Sequence, residues 1–212
     1  MSAEAEDASP PSLSAATQQA LAEFLAERDD SKTAGGAIPE DWQLSQFWYD
    51  AETARRLADE CCRLEPRSLA FLCCPTLFLE FKRRPQARTT KARLFEFDTR
   101  FRSRCEASEF VFYDYKKPTE FLLEDESLTN AGFELIVLDP PFLSDECFDA
   151  LARTVRLLEP ESRTRIIICT GLVMAERVGR LFDATQRAFR PRHERNLANE
   201  FACFANYDAL LL

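Results

Sequence analysis

The sequence is poor in glycine and histidine and has no paired Cys-x-x-Cys motif. Five glycines occur among 212 residues, which on spacing counts against the glycine-rich turn of many nucleotide sites. His193 is the single histidine, and the eight cysteines form two adjacent pairs and four isolated positions. We therefore expect no zinc or other metal centre. The cysteines are better interpreted as small buried hydrophobic residues of a reducing compartment.

Long hydrophobic runs are also missing. No apolar stretch approaches the roughly 20 residues that a membrane-spanning helix needs. Residues 1–14 are acidic and rich in Pro and Ser, without the basic start and apolar stretch of a signal peptide. This pattern favours a cytosolic or nuclear protein, with the cytoplasm as our prediction, and no membrane partner.

The negative charge is concentrated near the N-terminus. Of the formal net charge of −9, residues 1–60 contribute 13 acidic and 4 basic side chains, so the remainder is neutral. Overall acidity weighs against gripping a nucleic-acid backbone by counterion release. The exception is the basic run, residues 82–104, which carries nine Lys and Arg against Glu96 and Asp98. Such a run is most often a solvated face, and we expect no stable nucleic-acid partner.

Strand-like and helix-like patterns alternate along the chain. The five candidate strands are residues 69–74, 93–97, 110–113, 133–138 and 165–169. Helical patterns follow Asp50 and cover residues 144–158 and 172–182. This alternation predicts an α/β fold with a doubly wound parallel sheet. A last strand, residues 201–207, follows the segment around Phe189 too closely for a helical crossover, which predicts an antiparallel hairpin at the sheet edge.

The chain is predicted to have two parts. Residues 1–36 form an acidic N-terminal extension, expected to be partly disordered, with one helix over residues 14–27 and a polar linker after it. Residues 37–212 form the folded domain.

Residues 133–142, Phe-Glu-Leu-Ile-Val-Leu-Asp-Pro-Pro-Phe, are the most informative segment. Two successive prolines cannot continue a ladder, so the strand should end at Asp139, and ligands of open α/β sheets bind beyond such ends. The tetrapeptide resembles the Asp/Asn-Pro-Pro-Tyr/Phe motif of S-adenosylmethionine-dependent amino-methyltransferases. There, the acid and a proline-restrained carbonyl accept hydrogen bonds from the target amine beside an aromatic wall. The alternative is a proline turn without a function.

Other strand ends carry further candidates. Asp98 follows the second strand, where nucleotide-binding α/β folds place an acid on the ribose. Asp114 and Tyr115 follow the third and suit adenine by hydrogen bonding and ring packing. Each acid is otherwise a solvated strand terminus. The first turn, Cys73-Cys74-Pro75-Thr76, departs from the glycines usual at this position.

Two segments outside the strands are also candidates. Residues 45–49, in an unusually aromatic stretch, can close over a cofactor, although an aromatic cluster is ordinarily core. The polar run of residues 192–200 is either a loop or a substrate-facing rim.

Five segments together resemble the eukaryotic protein-lysine methyltransferases that modify translation elongation factor 1-alpha, a family earlier labelled adenine-specific DNA methyltransferase-like. They are residues 42–49, 112–115, 139–142, 169–171 and 195–201, in order and at similar spacing. The resemblance extends over roughly residues 39–208. Members also lack a full glycine motif and have a Pro-containing turn like that at Pro75. Phe142 departs from the tyrosine of many members, and Cys73 and Cys74 replace Val or Ser.

The resemblance implies a class I, Rossmann-like methyltransferase with a mostly parallel seven-strand sheet and an antiparallel edge strand. It implies S-adenosyl-L-methionine as cofactor, a lysine of elongation factor 1-alpha as substrate, and action as a monomer. It places Asp98 on ribose and Asp114 with Tyr115 at adenine. The residues implied around the methionine part are Gln46, Phe47, Trp48, Tyr49, Cys74 and Pro75. Those implied at the target nitrogen are Asp139, Pro140 and Phe142.

Two other classes of function remain open at this point. An adenine methyltransferase acting on nucleic acid would use the same motif and stack a flipped base on Phe142. A non-catalytic binding module would have a first turn that no longer holds the cofactor.

Overall fold

A computed structural model describes residues 38–128, 131–159, 164–195 and 197–212. The chain divides into two compact units, Met1–Pro39 and Glu40–Leu212. The predicted extension and its helix over residues 14–27 lie outside the described residues, so the following concerns the second unit. Among the helices in the described ranges, none is both long and apolar enough to span a membrane.

The second unit alternates strands and helices. The strands are β1 (Ser68–Leu72), β2 (Lys91–Glu96), β3 (Phe110–Phe112), β4 (Leu135–Leu138), β5 (Arg165–Gly171), β6 (Thr185–Gln186) and β7 (Phe201–Ala205). The helices are α1 (Ala51–Arg63), α2 (Pro75–Lys82), α3 (Phe121–Glu124), α4 (Asp145–Leu158) and α5 (Ala175–Phe182). The predicted helix over residues 172–182 begins as a short 3-10 turn, Leu172–Met174, before α5.

All seven strands form one sheet in the order β3-β2-β1-β4-β5-β7-β6. The first five pair in parallel, and β7 pairs antiparallel with both β5 and β6. This confirms the predicted doubly wound, mostly parallel sheet and its antiparallel hairpin. The edge strand itself is β6, however, and the last strand of the chain lies one place inside it.

Local sequence explains where the main elements begin and where they pack. The carboxylate of Asp50 accepts a hydrogen bond from the backbone nitrogen of Thr53 at 2.7 Å and caps α1. Ser144 caps α4 in the same way. All four residues of β4 are buried, as expected for a strand covered on both faces. Six of the eight cysteines are buried and all eight are free thiols, which agrees with their interpretation as core residues.

The turn after β1 is made without glycine. Cys73 has φ of 58°, in the left-handed region, and its backbone nitrogen donates to the Phe95 carbonyl oxygen at 2.9 Å. Pro75 then occupies the first position of α2, where its missing N–H leaves no helical bond unmade. β1 therefore ends at Leu72, two residues earlier than predicted, because Cys73 turns the backbone away.

We predict that glycine and alanine rank oppositely at the two cysteines of this turn. At Cys73, glycine should be the more stable replacement. Cys73→Gly removes the steric cost of the left-handed backbone conformation, whereas Cys73→Ala keeps this cost of about 1 kcal/mol. At Cys74, where φ is −129°, alanine is better by about 0.5–1 kcal/mol because glycine loses more chain entropy on folding. Urea denaturation of the four variants measures both differences. The same ranking at both positions would contradict this account of the turn.

Candidate active site

A cavity of about 550 Å³ lies at the carboxyl ends of the parallel strands. Its size falls within the range of small-molecule sites. Its walls come from six segments: residues 43–48, the turn after β1, the ends of β2 and β3, the segment 139–143 after β4, and residues between 193 and 201. Because β7 runs antiparallel to β5, the first residues of β7 lie at the same edge of the sheet as the carboxyl ends of the five parallel strands.

Most of the residues singled out from the sequence meet at this cavity. Nine of them line it: Gln46, Phe47, Trp48, Pro75, Asp114, Tyr115, Asp139, Pro140 and Phe142. The other three, Tyr49, Cys74 and Asp98, do not. Tyr49 and Cys74 are buried behind the wall, with 4% and 1% of their surface exposed. Cys74 directs its thiol toward the Val137 carbonyl oxygen at 3.6 Å.

Asp139 follows β4 directly, as predicted. Its backbone nitrogen donates to the Leu72 carbonyl oxygen at 3.0 Å, which fixes its position against β1. Burial raises the pKa of the carboxyl to about 7, a hydrogen bond from Tyr49 opposes this rise, and the nearby charge of Glu96 adds to it. A carboxyl that is about half ionised near neutral pH is suited to exchange a proton with a bound group.

Tyr49 supports Asp139 from behind the cavity wall. Its hydroxyl donates to the Asp139 carboxylate. Its ring lies 5.3 Å from the His193 ring, which in turn contacts Phe201 at 4.5 Å between centroids. Burial lowers the pKa of His193, so the imidazole is neutral at neutral pH and packs as an aromatic ring.

Two rings from different strand ends meet at the mouth of the cavity. Phe142, after β4, is 39% exposed. Its centroid lies 5.7 Å from that of Tyr115, after β3. These rings connect the part of the cavity at β3 with the part at β4 and reduce the access of water to both.

Glu96, which the sequence interpretation missed, is the acid that β2 presents to the cavity. It is the last residue of β2 and lines the cavity. One carboxylate oxygen accepts from the Asp98 backbone nitrogen at 2.9 Å. Burial raises the pKa of Glu96 to about 7. The sequence does contain a signal, because the spacing Glu-x-Asp offers two acids near the end of the strand. The predicted strand ended at Phe97, one residue too late, so Asp98 was assigned to the cavity in place of Glu96.

Asp98 is instead occupied by protein contacts. Both of its carboxylate oxygens accept from the Arg100 side chain, at 2.7 to 2.9 Å, and one also accepts from the Gln46 amide at 2.9 Å. The other oxygen accepts from the Arg100 backbone nitrogen. A carboxylate has about four acceptor sites, so Asp98 has none to spare for a ribose. The structure thus does not bring it to the position for which it was predicted.

The cavity has two sides, one formed after β2 and β3 and the other after β4 and before β7. On one side, Asp114 lines the cavity after β3, and the Phe97 and Phe112 rings pack at 5.6 Å. On the other side, beyond Asp139, lie His193, Phe201 and residues 197–199. Of the predicted polar run, His193 and Asn199 line the cavity, and Asn196 lies outside the described residues. The cavity can hold a nucleoside at β2 and β3 and a second group at β4 and β7.

Comparison with known proteins agrees with this geometry. The family model described as "Probable N6-adenine methyltransferase" matches residues 40–209. EEF1A lysine methyltransferase 1 of Mus musculus is 39% identical, over 97% of this chain and 96% of the mouse protein. Protein-lysine N-methyltransferase M142.8 of Caenorhabditis elegans is 42% identical, over 94% of this chain and 95% of that protein.

A more distant relative extends the similarity to fungi. Protein-lysine N-methyltransferase EFM5 of Saccharomyces cerevisiae is 35% identical over 80% of this chain and 73% of the yeast protein. The residues matched by the family model, 40–209, include those that line the cavity. The chain is therefore an enzyme of the methyltransferase class and belongs to the family described as probable N6-adenine methyltransferase, together with these protein-lysine N-methyltransferases.

Proposed function

We propose that this protein is an S-adenosylmethionine-dependent protein-lysine N-methyltransferase that acts on translation elongation factor 1-alpha. The observation that carries the proposal is Asp139, a carboxyl with a pKa of about 7 at the end of β4, beside Phe142 in the cavity. The names of the relatives, EEF1A lysine methyltransferase 1 among them, support the substrate. We also propose that the protein acts in the cytoplasm, with elongation factor 1-alpha, and as a monomer.

The residues at the cavity fit the cofactor that this family implies. When bound, S-adenosylmethionine would supply the methyl group, and its sulfur would keep the electron pair of the broken S–C bond, leaving S-adenosylhomocysteine. Glu96 would hold the ribose hydroxyls, because its carboxylate lines the cavity and accepts hydrogen bonds only from the neighbouring backbone nitrogens of Phe97 and Asp98 among the described residues, which leaves acceptor sites for a ligand. Asp114 and the rings of Phe97 and Tyr115 would hold adenine. Residues 43–48 and Cys73, Pro75 and Thr76 would surround the methionine part.

Asp139 and the apolar wall together prepare the target amine. A lysine ammonium has an ordinary pKa near 10.4, about three units above that of Asp139. Burial beside Trp48 and Phe142 lowers the pKa of the ammonium, just as burial raises that of the carboxyl. Both shifts reduce the free energy needed to move one proton from the amine to Asp139. The freed lone pair can then form the new N–C bond, while the Pro140 backbone and Asp139 keep the nitrogen oriented.

The pairing of the basic run supports a protein substrate over a nucleic acid. Lys82 contacts Glu109, Arg84 contacts Asp59 and Glu80, and Arg93 approaches Asp125 at 3.9 Å. Further pairs are Arg83 with Glu80, Arg100 with Asp98, and Arg102 over the Phe110 ring. Cations that are already paired gain little by releasing counterions from a phosphate backbone. Most of the cations in the basic run are thus paired with other residues of the same domain.

We predict that Asp139→Ala lowers turnover on elongation factor 1-alpha by at least about a hundredfold, the low end for a positioned proton acceptor. Phe142→Ala should also impair turnover by admitting water, whereas Phe142→Tyr keeps the ring and the activity. The measurement is transfer of labelled methyl to purified elongation factor 1-alpha and to cell lysate, with and without nuclease.

Asp59→Ala is the matched control, because this half-exposed carboxylate pairs with Arg84 outside the cavity. Wild-type turnover by Asp139→Ala would remove Asp139 from catalysis. Labelling that disappears with nuclease would assign the enzyme to nucleic acid.

The raised pKa of Asp139 predicts a pH-dependent effect on stability. Between its ordinary value of 3.8 and about 7, the carboxyl ionises more readily in the unfolded chain, so the folded protein loses stability as pH rises through this window. Asp139→Asn should not show this loss, because its side-chain amide does not ionise. Its melting temperature should exceed that of the wild type by an amount that grows from pH 4 to pH 7 and is constant above, reaching roughly 10 °C, because a pKa difference of about three units corresponds to about 4 kcal/mol. A constant difference for Asp139→Asn would mean that Asp139 titrates normally.

We predict that Glu96→Ala weakens the binding of S-adenosylhomocysteine by about 1–3 kcal/mol, the usual loss for a hydrogen bond to a charged group. Isothermal titration calorimetry measures this directly. Glu109→Ala is a suitable control, since Glu109 is a buried acid before β3 that pairs with Lys82 away from the cavity walls. Unchanged affinity in a folded Glu96→Ala variant would exclude Glu96 from the nucleoside subsite.

A further inference from the structure

The wall segment, residues 40–49, is held to the domain near both ends. At one end, the Trp48 carbonyl oxygen accepts from the Glu194 backbone nitrogen at 2.8 Å, and the Asp50 nitrogen donates to the Arg192 carbonyl oxygen at 3.0 Å. Toward the other end, Glu40 pairs with Arg195 at 3.3 Å. A second attachment within the segment is made by the side chain of Gln46, which is 8% exposed. This second attachment depends on the residues that follow β2.

Gln46 is bound on both sides of its amide. Its Nε2 donates to Asp98 Oδ2 at 2.9 Å, and its Oε1 accepts from Arg100 Nη2 and from its own segment's Asp41 nitrogen, both at 3.0 Å. The orientation is unambiguous, because exchanging the two amide atoms would place oxygen against a carboxylate and nitrogen against two donors. Gln46 lines the cavity, but its acceptor oxygen is already used by the protein.

Asp98 organises the turn that carries the rest of this contact. It caps the 3-10 turn Thr99–Arg104, which presents Arg100 to Gln46. The same turn presents the buried Phe101 ring to the Trp48 ring, with centroids 5.7 Å apart at 90°. Two of the attachments of the wall segment thus depend on one turn, and that turn depends on one carboxylate.

The same residue reaches the nucleoside side of the cavity through its backbone. The Asp98 nitrogen donates to Glu96 Oε1 at 2.9 Å. This bond fixes one oxygen of the carboxylate that lines the cavity. A displacement of Asp98 would therefore change the position of Glu96 as well as that of the wall segment.

We propose that Gln46, Asp98 and Arg100 form a clasp that holds the wall segment in place, and that Asp98 is a positioning residue that governs cofactor affinity without contacting the cofactor. The proposal rests on the proposed function only for the identity of the cofactor.

The two tryptophans of the chain, Trp42 and Trp48, both lie in the wall segment, which allows a direct test. In a Trp42→Phe background, Trp48 is the sole tryptophan, and its quenching by acrylamide reports how firmly the segment is held. We compare Asp98→Asn, Gln46→Met and the double variant. Gln46→Met retains the side-chain volume and removes only the amide. Quenching is measured without cofactor, and the affinity for S-adenosylhomocysteine is measured by calorimetry.

Both single variants should increase the quenching of Trp48 and weaken S-adenosylhomocysteine binding about tenfold. The double variant should bind no more weakly than the worse single variant, because residues that act through one contact are not additive. Glu96→Gln should weaken binding without changing the quenching, and Asp59→Asn should change neither.

Three results would overturn the proposal. These are a loss of affinity in Asp98→Asn with normal quenching, losses that multiply in the double variant, and single variants that behave as the wild type. The first two would indicate that Asp98 contacts the cofactor itself. If the wild type does not bind S-adenosylhomocysteine, the assigned cofactor is wrong, and the quenching alone decides whether the clasp exists.

Discussion

The burial of acids at the carboxyl ends of the parallel strands is the constraint on which the site depends. Burial raises the pKa of Glu96 and of Asp139 to about 7, and the charge of Glu96 raises that of Asp139 further. Two carboxyls that share one water-poor edge are unfavourable in the empty protein. A hydrogen-bond donor on Glu96 and a cationic amine at Asp139 each offset this cost, so ligand binding contributes stability that the folded chain alone lacks. Under the proposed function, the preference of the site for donors and cations would thus follow from the burial of the two acids that the fold imposes.

The turn after β1 has no glycine, and one residue, Cys73, adopts the backbone conformation that a glycine would usually supply. A turn that leads from a buried strand into a helix beside a cofactor needs a left-handed residue, and Cys73 adopts that conformation with φ of 58°. The strain is modest and is balanced by the Phe95 hydrogen bond and by Pro75, whose ring already has the φ of the first helical turn. An absent glycine motif is therefore weak evidence against a nucleotide site when a small residue followed by proline stands in its place.

Pattern and composition were sufficient for the fold and for most of the site, because both follow from local alternation. The apolar runs located all five parallel strands, and the Pro-Pro pair located Asp139. Two features depended on distant contacts and were not predictable. Glu96 looks like an interior strand residue among apolar neighbours, and only the saturation of Asp98 by Arg100 and Gln46 shows which acid faces the cavity. Likewise, Tyr49 was assigned to the cofactor, whereas its pairing with His193, far along the chain, turns its hydroxyl toward Asp139.

The segment Gln-Phe-Trp-Tyr links the two sides of the cavity through distinct contacts. Gln46 reaches Asp98, and through it Glu96, on the nucleoside side. Tyr49 reaches Asp139 on the opposite side, and the three-residue separation spans at most about 10 Å of extended chain. One short stretch therefore contacts both Asp98, which bonds to Glu96, and Asp139 itself. The aromatic residues between them, Phe47 and Trp48, line the space where the two ligands would meet. Under the proposed function, cofactor binding and preparation of the target amine would therefore depend on the same four residues, and this aromatic stretch would have a function beyond packing.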